Sequence, residues 1–291
     1  MRDQLCNVDA RVISPLISII IATYQSKATL QRCIDSVAWQ IYPHKELLVI
    51  DGGSNDGTVE ILKQNSQKID YWISEPDRGI YHAWNKALGQ SHGDWVCFLG
   101  ADDYLWDEHV LEQMAPHLSR AFPAVRVVYG QVVRVNKSGA VLDILGGPWP
   151  TLHAALLVGD MLNIHQAMFH HRSLFEVRGK FDESFRIAGD YDLLLRELLG
   201  GQAEYVPCRV AAMQHGGISS IPSSKVVMIR EIKRAMERNG VKPPIKSYMA
   251  WLRAIIHALL YRVTGAGVSG AIADGYRYLA GKRRLWTSTV K

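Results

Sequence analysis

The feature that most constrains this chain is a short apolar run near its start, residues 16–22, Leu-Ile-Ser-Ile-Ile-Ile-Ala. It is too short to span a bilayer and too continuous to lie half-exposed, so it reads as a strand buried on both faces, the kind found in parallel sheets. Residues 27–39 follow with helical spacing through Leu30, Ile34 and Val37, and residues 46–50 are again apolar. Together they make a βαβ unit, which implies a parallel sheet covered on both faces. The same alternation predicts a helix over 59–65, a strand over 71–74, a helix over 80–88 and a buried strand over 95–99 that runs out at Asp102 and Asp103. Every loop rich in polar residues then sits at the carboxyl end of a strand, where open α/β sheets bind ligands. Thr23, Asp51 and Asp102 are expected close together.

Further along, residues 125–135 and 140–144 flank Asn136-Lys-Ser-Gly139 and predict a β-hairpin with a four-residue turn. Gly146-Gly-Pro-Trp-Pro150 breaks that pattern and predicts a loop over the site. A helix is expected over 189–199, a strand over 204–213 and a charged helix over 225–238. Pro243-Pro244 is the expected domain boundary. It separates an α/β domain over 15–242, preceded by an extension over 1–14, from a tail over 243–291.

Composition bounds the class. At 291 residues, 48% hydrophobic and 21% charged, the chain is an ordinary folded protein. Cys6, Cys33, Cys97 and Cys208 show no C-x-x-C spacing, which argues against a zinc site or disulfide framework and for a reducing, cytoplasmic setting. Residues 1–14 carry Arg2, Asp3, Asp9 and Arg11, and the apolar run after them lacks a small-residue cleavage pattern, so no signal peptide is expected. The net charge of +5 is uneven: residues 241–291 hold nine Lys and Arg against one acid, and the rest holds 24 against 27. Nucleic-acid binding would rest on that tail charge alone and is not expected. A dinucleotide-binding oxidoreductase is excluded because no G-x-G-x-x-G turn follows the first strand.

Three stretches carry chemistry. Asp51-Gly-Gly-Ser-Asn-Asp-Gly-Thr58 ends a strand with a carboxylate, makes a glycine-permitted turn and starts a helix. Asp51 there can accept hydrogen bonds from a base or ribose; alternatively Asp51, Ser54 and Asp56 organise the turn. Ser74-Glu-Pro-Asp-Arg-Gly79 presents Asp77 and Arg78 before a helix, where an Arg can pair with phosphate, or the turn is simply solvated. Asp102 and Asp103 are oxygen ligands suited to Mg²⁺ or Mn²⁺ bridging a diphosphate, although one of them can equally cap the following segment.

In this order, Ala22-Thr-Tyr24, Asp51-Gly-Gly-Ser-Asn-Asp-Gly-Thr58, Glu75-Pro-Asp-Arg-Gly-Ile-Tyr81 and Phe98-Leu-Gly-Ala-Asp-Asp103 resemble the family 2 glycosyltransferases. The resemblance covers roughly residues 15–220, and within the family it is nearest the bacterial enzymes of capsule, O-antigen and colanic-acid-type polysaccharide assembly. It implies the GT-A nucleotide-diphospho-sugar transferase fold, a mostly parallel Rossmann-like sheet flanked by helices, and inversion at the anomeric carbon. It further implies that Thr23 and Tyr24 edge the nucleotide pocket, that Asp51 meets the base, that Asp77 and Arg78 line the donor site, and that Asp102 reaches a divalent cation. The chain departs from the family at Gly52, where many members have a second Asp, and at Gly100, where the first acid of an Asp-x-Asp motif often stands. A single carboxylate plus diphosphate oxygens holds Mg²⁺ or Mn²⁺ only loosely.

Asp190 opens the helix expected over 189–199 and can take a proton from an acceptor hydroxyl, the base an inverting displacement requires; otherwise it is a helix cap. The resemblance matches it with the family's catalytic acid, with Gly189 where a Glu often stands. His215, before Gly216-Gly-Ile-Ser219, is a candidate for the metal or diphosphate, or an ordinary loop residue. His165, Gln166, His170 and His171 lack a matching acid and favour packing or acceptor contacts. The competing functions are a non-catalytic nucleotide-sugar binding protein and a sugar-nucleotide pyrophosphorylase; residues 22–28 contain no glycine for the triphosphate loop of the latter. Processive synthases of the family carry a Gln-x-x-Arg-Trp motif and spanning helices, both missing here, so single-sugar addition to a saccharide or polyprenyl-linked acceptor is expected. In the tail, residues 247–263 place Met249, Leu252, Ile255, Ile256, Leu259 and Leu260 on one helical face, with Arg253 on another. With Lys282-Arg-Arg284 and Trp286, the tail is expected either on an anionic membrane surface or packed on the domain or a second copy.

Overall fold

The computed structural model describes residues 14–136, 138–160, 164–214, 222–279 and 281. The first apolar run forms β1 (Ile17–Thr23), followed by α1 (Leu30–Ala38), β2 (Lys45–Asp51), α2 (Thr58–Gln64), β3 (Tyr71–Ser74), α3 (Ile80–Leu88) and β4 (Trp95–Gly100). Strands β1 to β4 pair in parallel in the order β3-β2-β1-β4, and register aligns Thr23 with Asp51, Asp51 with Ser74, and Ala22 with Gly100. Four strand ends therefore open side by side at one edge. Beyond β4 the sheet continues through β8 (Met168–His171), β6 (Val127–Val135), β9 (Glu204–Gln214) and β5 (Tyr104–Leu105). β6 is antiparallel to β8 and parallel to β9, and β7 (Val141–Leu145) pairs antiparallel with β6 as the expected hairpin.

Burial explains the strand choice. Ile17, Ile19, Ile20 and Ile21 of β1 are fully buried, as are Val96, Cys97, Phe98 and Leu99 of β4, so neither strand alternates. Phe98 centres an aromatic cluster with Trp84 from α3 at 4.8 Å, Phe181 at 5.1 Å and His165 at 5.6 Å between ring centroids. That cluster joins the first half of the sheet to the segment between α6 (Ser173–Arg178) and α7 (Gly189–Leu198).

Three differences from the sequence reading stand out. Residues 110–121 form α4 (Val110–Ala121), whose buried Val110, Leu111, Met114, Ala115 and Leu118 have plain helical spacing that Pro116 obscures. The loop expected from Gly146 ends early: Pro148 and Pro150 flank the start of α5 (Trp149–Leu157), where proline suits a first turn. This helix packs on α7, with the Tyr191 hydroxyl donating to the Leu156 carbonyl at 2.6 Å. Finally α8 (Pro222–Arg238) is followed by α9 (Ile245–Leu279), which Gly265, at φ 76°, interrupts. The α9 face is divided: Trp251 and Ala258 are buried and Ile255 packs on the core, while Met249, Leu252, Ile256 and Leu259 face outward. Among the described residues no helix is long and apolar enough to cross a membrane.

Because Phe98 ties the sheet to the segment carrying α7, Phe98→Ala is expected to lower unfolding stability by about 3–5 kcal/mol, measured as a fall in the urea midpoint.

Candidate active site

Two loops at the carboxyl edge are laced together. The Asp51 carboxylate, fully buried, accepts the Gly53 and Ser54 backbone N–H groups at 3.1 and 2.8 Å and the Ser54 and Ser74 hydroxyls at 2.6 Å each. A buried carboxylate needs such donors, and these four hold its own turn and the end of β3. Asp56 accepts the Lys27 N–H at 3.0 Å, and Ser54 Oγ accepts the Gln25 N–H at 2.8 Å. The β1–α1 loop is thereby tied to the β2–α2 loop. At its start Thr23 is 4% exposed with a hydroxyl that has no partner, and Tyr24 beside it stands 64% exposed. An unpartnered buried hydroxyl next to an exposed ring at a strand end suits the edge of a ligand pocket.

Gly52, one of the glycines at which the chain departs from the family it resembles, faces this loop. A Cβ added at Gly52 would lie 2.8 Å from Asp77 Oδ2 and 3.3 Å from the Tyr24 ring. The Asp77 carboxylate therefore occupies the space that a side chain at 52 would need. Its other oxygen accepts the Gly79 N–H at 2.8 Å, holding the turn before α3. Arg78 pairs with Glu183, and Asn85 from α3 donates to the Phe181 carbonyl at 2.9 Å and to Glu183 at 3.1 Å. The segment 74–85 is thus clamped to the segment before α7.

Asp102 and Asp103 follow β4. A Cβ at Gly100 would meet Asp102 Oδ1 and Asp103 Oδ2, each at 2.9 Å, so the two carboxylates converge in front of that glycine, in the space a side chain there would take. Asp103 is buried, and burial followed by the Asp102 charge raises its pKa, while hydrogen bonds from Gln166 and the Gln214 backbone act against this. Two hard oxygen donors whose like charges repel suit Mg²⁺ or Mn²⁺ shared with diphosphate oxygens. Among the described residues no cluster of three or more His, Cys, Asp or Glu could hold a metal by itself. His215 lies outside the described residues. His165 and His170 are buried in the aromatic cluster, where burial pushes His165 down to about 3 and His170 well below its ordinary value; both pack as neutral rings.

Asp190 stands in the first turn of α7. Burial raises its carboxyl to about 6, against the Tyr191 N–H and the Tyr81 hydroxyl, which favour the charged form. Tyr81 donates to Asp190 Oδ1 at 3.2 Å. A Cβ at Gly189 would come within 2.8 Å of the Tyr81 ring, so the glycine at 189 is what admits that ring. Tyr81 lies in a stretch singled out from sequence and Asn85 in the helix expected over 80–88, but their pairing with Asp190 and Glu183, about a hundred residues on, has no local signal.

A sheet with this strand order, with acids gathered at the carboxyl edge of its parallel half, defines a GT-A glycosyltransferase fold. Residues 18–173 match the family described as Glycosyl transferase family 2, and the chain belongs to it. It is 29% identical over 258 residues to a PGL/p-HBAD biosynthesis glycosyltransferase of Mycobacterium tuberculosis (strain ATCC 25177 / H37Ra), covering 86% of this chain and 96% of that one. In fold it is similar to residues 1–349 of S. aureus TarS in complex with UDP-GlcNAc, with TM-score 0.60, 18% identity, and 86% and 74% of the two chains covered. The same TM-score and identity relate it to the mannosyltransferase PcManGT from Pyrobaculum calidifontis in complex with GDP-Man and Mn2+, over 94% and 84% of the chains. The protein is an enzyme of the glycosyltransferase class.

Since Asp51 receives four donors from its own loop and from β3, Asp51→Ala is expected to lower the stability of the ligand-free protein by about 3 kcal/mol, read as a fall in Tm. An unchanged Tm without nucleotide would show that the carboxylate serves the ligand alone.

Proposed function

We propose that the protein transfers a single sugar, with inversion and without processivity, from a nucleotide-diphospho-sugar to a saccharide or polyprenyl-linked acceptor in the assembly of a bacterial cell-surface polysaccharide or glycolipid. The observation that carries this reading is Asp190: a carboxyl raised to about 6 and hydrogen-bonded to Tyr81, whose own stretch also bears Asp77 and Arg78. A base with that pKa is ionised near neutral pH and still strong enough to accept the acceptor hydroxyl proton as the new glycosidic bond forms. The biosynthetic role named for the mycobacterial relative and the nucleotide sugars bound in the TarS and PcManGT structures support the same substrate classes.

In this reading Thr23 and Tyr24 edge the nucleotide, and Asp77, standing in front of Gly52, presents the carboxylate that faces the base. Asp51 acts by shaping the loop, and Arg78 lines the diphosphate side. Mg²⁺ or Mn²⁺ held by Asp102 and Asp103, with His215 as a further candidate ligand, would neutralise charge on the departing nucleoside diphosphate. The exposed apolar residues of α9 beside the basic tail suit a peripheral seat on the inner face of the cytoplasmic membrane, where polyprenyl-linked acceptors are found.

Asp190→Asn is expected to reduce kcat by about 10²- to 10⁴-fold while the Tm increase produced by the donor is retained; full transfer by this variant would sink the assignment. Because Asp190 must be ionised to act, and its pKa is raised to about 6, native kcat is expected to hold above that value and to fall tenfold per pH unit well below it. For the tail, Leu252→Asp with Ile256→Asp is expected to abolish co-sedimentation with anionic phospholipid vesicles while soluble-acceptor activity is unchanged; equal sedimentation would place that face elsewhere.

A further inference from the structure

One face of α8 grips the segment that leads into α7. Glu231, Arg234 and Arg238 are spaced at i, i+3 and i+7, so all three project from the same side of the helix. Arg238 binds Asp182 Oδ2 at 2.6 Å. Arg234 donates to the Ser184 carbonyl at 3.1 Å and lies over the Phe185 ring at 3.8 Å. Glu231, only 8% exposed, accepts three consecutive backbone N–H groups: Arg186 at 2.8 Å on Oε1, and Ile187 and Ala188 at 2.9 Å on Oε2. Ala188 in turn supplies the carbonyl that receives the Asp192 N–H at 3.1 Å, opening α7.

Burying an acid without a cationic partner is unfavourable unless its oxygens are filled by donors. Here those donors are the free N–H groups of the turn immediately before Asp190, more than forty residues away in sequence. Helix N-termini leave such groups unsatisfied, and water or a local Ser or Asp could serve them equally well. A rigid carboxylate reaching in from another helix does something that water cannot: it fixes the direction in which the first turn of α7 leaves the loop.

We infer that Glu231 is a positioning residue for sugar transfer, clamping the backbone of residues 186–188 so that Asp190 meets the acceptor hydroxyl at a fixed angle. This rests on the reading of Asp190 as the base. The charge of Glu231 acts in a second way. The ionisable side chains acting on Asp190 are Tyr81 from α3, which favours its ionised form, and Glu231 from α8, which opposes it; burial is the largest influence and also opposes ionisation. Glu231 thus helps to keep Asp190 basic enough to accept a proton.

The test is a kcat–pH profile at saturating donor and acceptor for Glu231→Gln, Glu231→Asp and Asp190→Asn, with Tm measured in parallel. Glu231→Gln replaces an acceptor oxygen by an N–H₂ that opposes the loop donors and removes the charge. It is expected to lower the kcat plateau by about 10-fold, since sub-ångström misplacement is enough for such a loss, to leave donor KM within about twofold, and to shift the acid limb to lower pH. Glu231→Asp keeps the charge and shortens the reach, so the plateau falls while the acid limb stays native. If Glu231→Gln lowers Tm but leaves the plateau and acid limb native, Glu231 is merely structural and the inference is overturned. Should Glu231→Gln fail to fold, Glu231→Asp decides alone: a native plateau overturns the clamp. Full activity in Asp190→Asn is a different result, removing the base assignment itself whatever the Glu231 variants do.

Discussion

The site depends first on parallel register. Because β1, β2, β3 and β4 run the same way with Thr23, Asp51 and Ser74 aligned and Ala22 level with Gly100, four loops leave the sheet within reach of one another. Asp51 turns that proximity into a fixed shape. Its buried carboxylate collects donors from its own turn and from the end of β3, where an unmet acceptor would cost about 1–3 kcal/mol or more. A loop pinned in this way needs little rearrangement to receive a ligand, and such preorganisation lowers the entropic cost of binding.

The three glycines at positions where relatives of this kind often carry acids obey one steric rule. At Gly52 the space is taken by Asp77, at Gly100 by Asp102 and Asp103, and at Gly189 by the Tyr81 ring. None of these glycines is an empty position. Two of the occupants, Asp77 and Tyr81, come from the turn after β3 and the first turn of α3 that follows it, so this one stretch fills the space of side chains on two other loops. A carboxylate lost from one loop and regained from another leaves the charge of the pocket similar while changing which backbone carries it. A chain with glycine at 52 and 100 thus still presents the carboxylates of Asp77, Asp102 and Asp103 at the edge of the sheet.

Much of this was legible in the residues. The continuous apolar runs pointed to the parallel strands, and the polar stretches at their ends pointed to Thr23, Asp51 and Asp102 as neighbours of a single edge, whereas Asp77 and Asp190 entered the site only through the family resemblance. Less legible was whatever depends on distant partners. Whether Asp51 faces a ligand or its own turn is undecided by a sequence in which both readings need the same Asp-Gly-Gly-Ser; the hydroxyl of Ser74, 23 residues away, completes the second. Pro116 hid α4, because a proline in a helix interior normally argues against one. Glu231 lies in a helix that reads as solvated and charged, and only the turn before α7 reveals why one of its acids is buried.

Acids in one site behave differently because their surroundings differ. Asp51 meets four donors and spends its charge on the loop. Asp103 is buried beside Asp102, and the repulsion between them favours either a proton or a cation, which is the electrostatic condition under which a diphosphate-bridging metal would be welcome. Asp190 is desolvated, but it retains one hydroxyl donor in Tyr81 and faces Glu231 at the far side of its turn, so its pKa rises without the group being neutralised outright near pH 7. Environments that separate the pKa values of neighbouring carboxyls are how one pocket assigns shape, charge stabilisation and proton transfer to chemically identical groups. In the proposed reading the groups that set these differences are Ser74 for Asp51, Gln166 for Asp103, and Tyr81 with Glu231 for Asp190. It follows that isosteric changes in those groups alter the chemistry of the acids without touching the acids themselves.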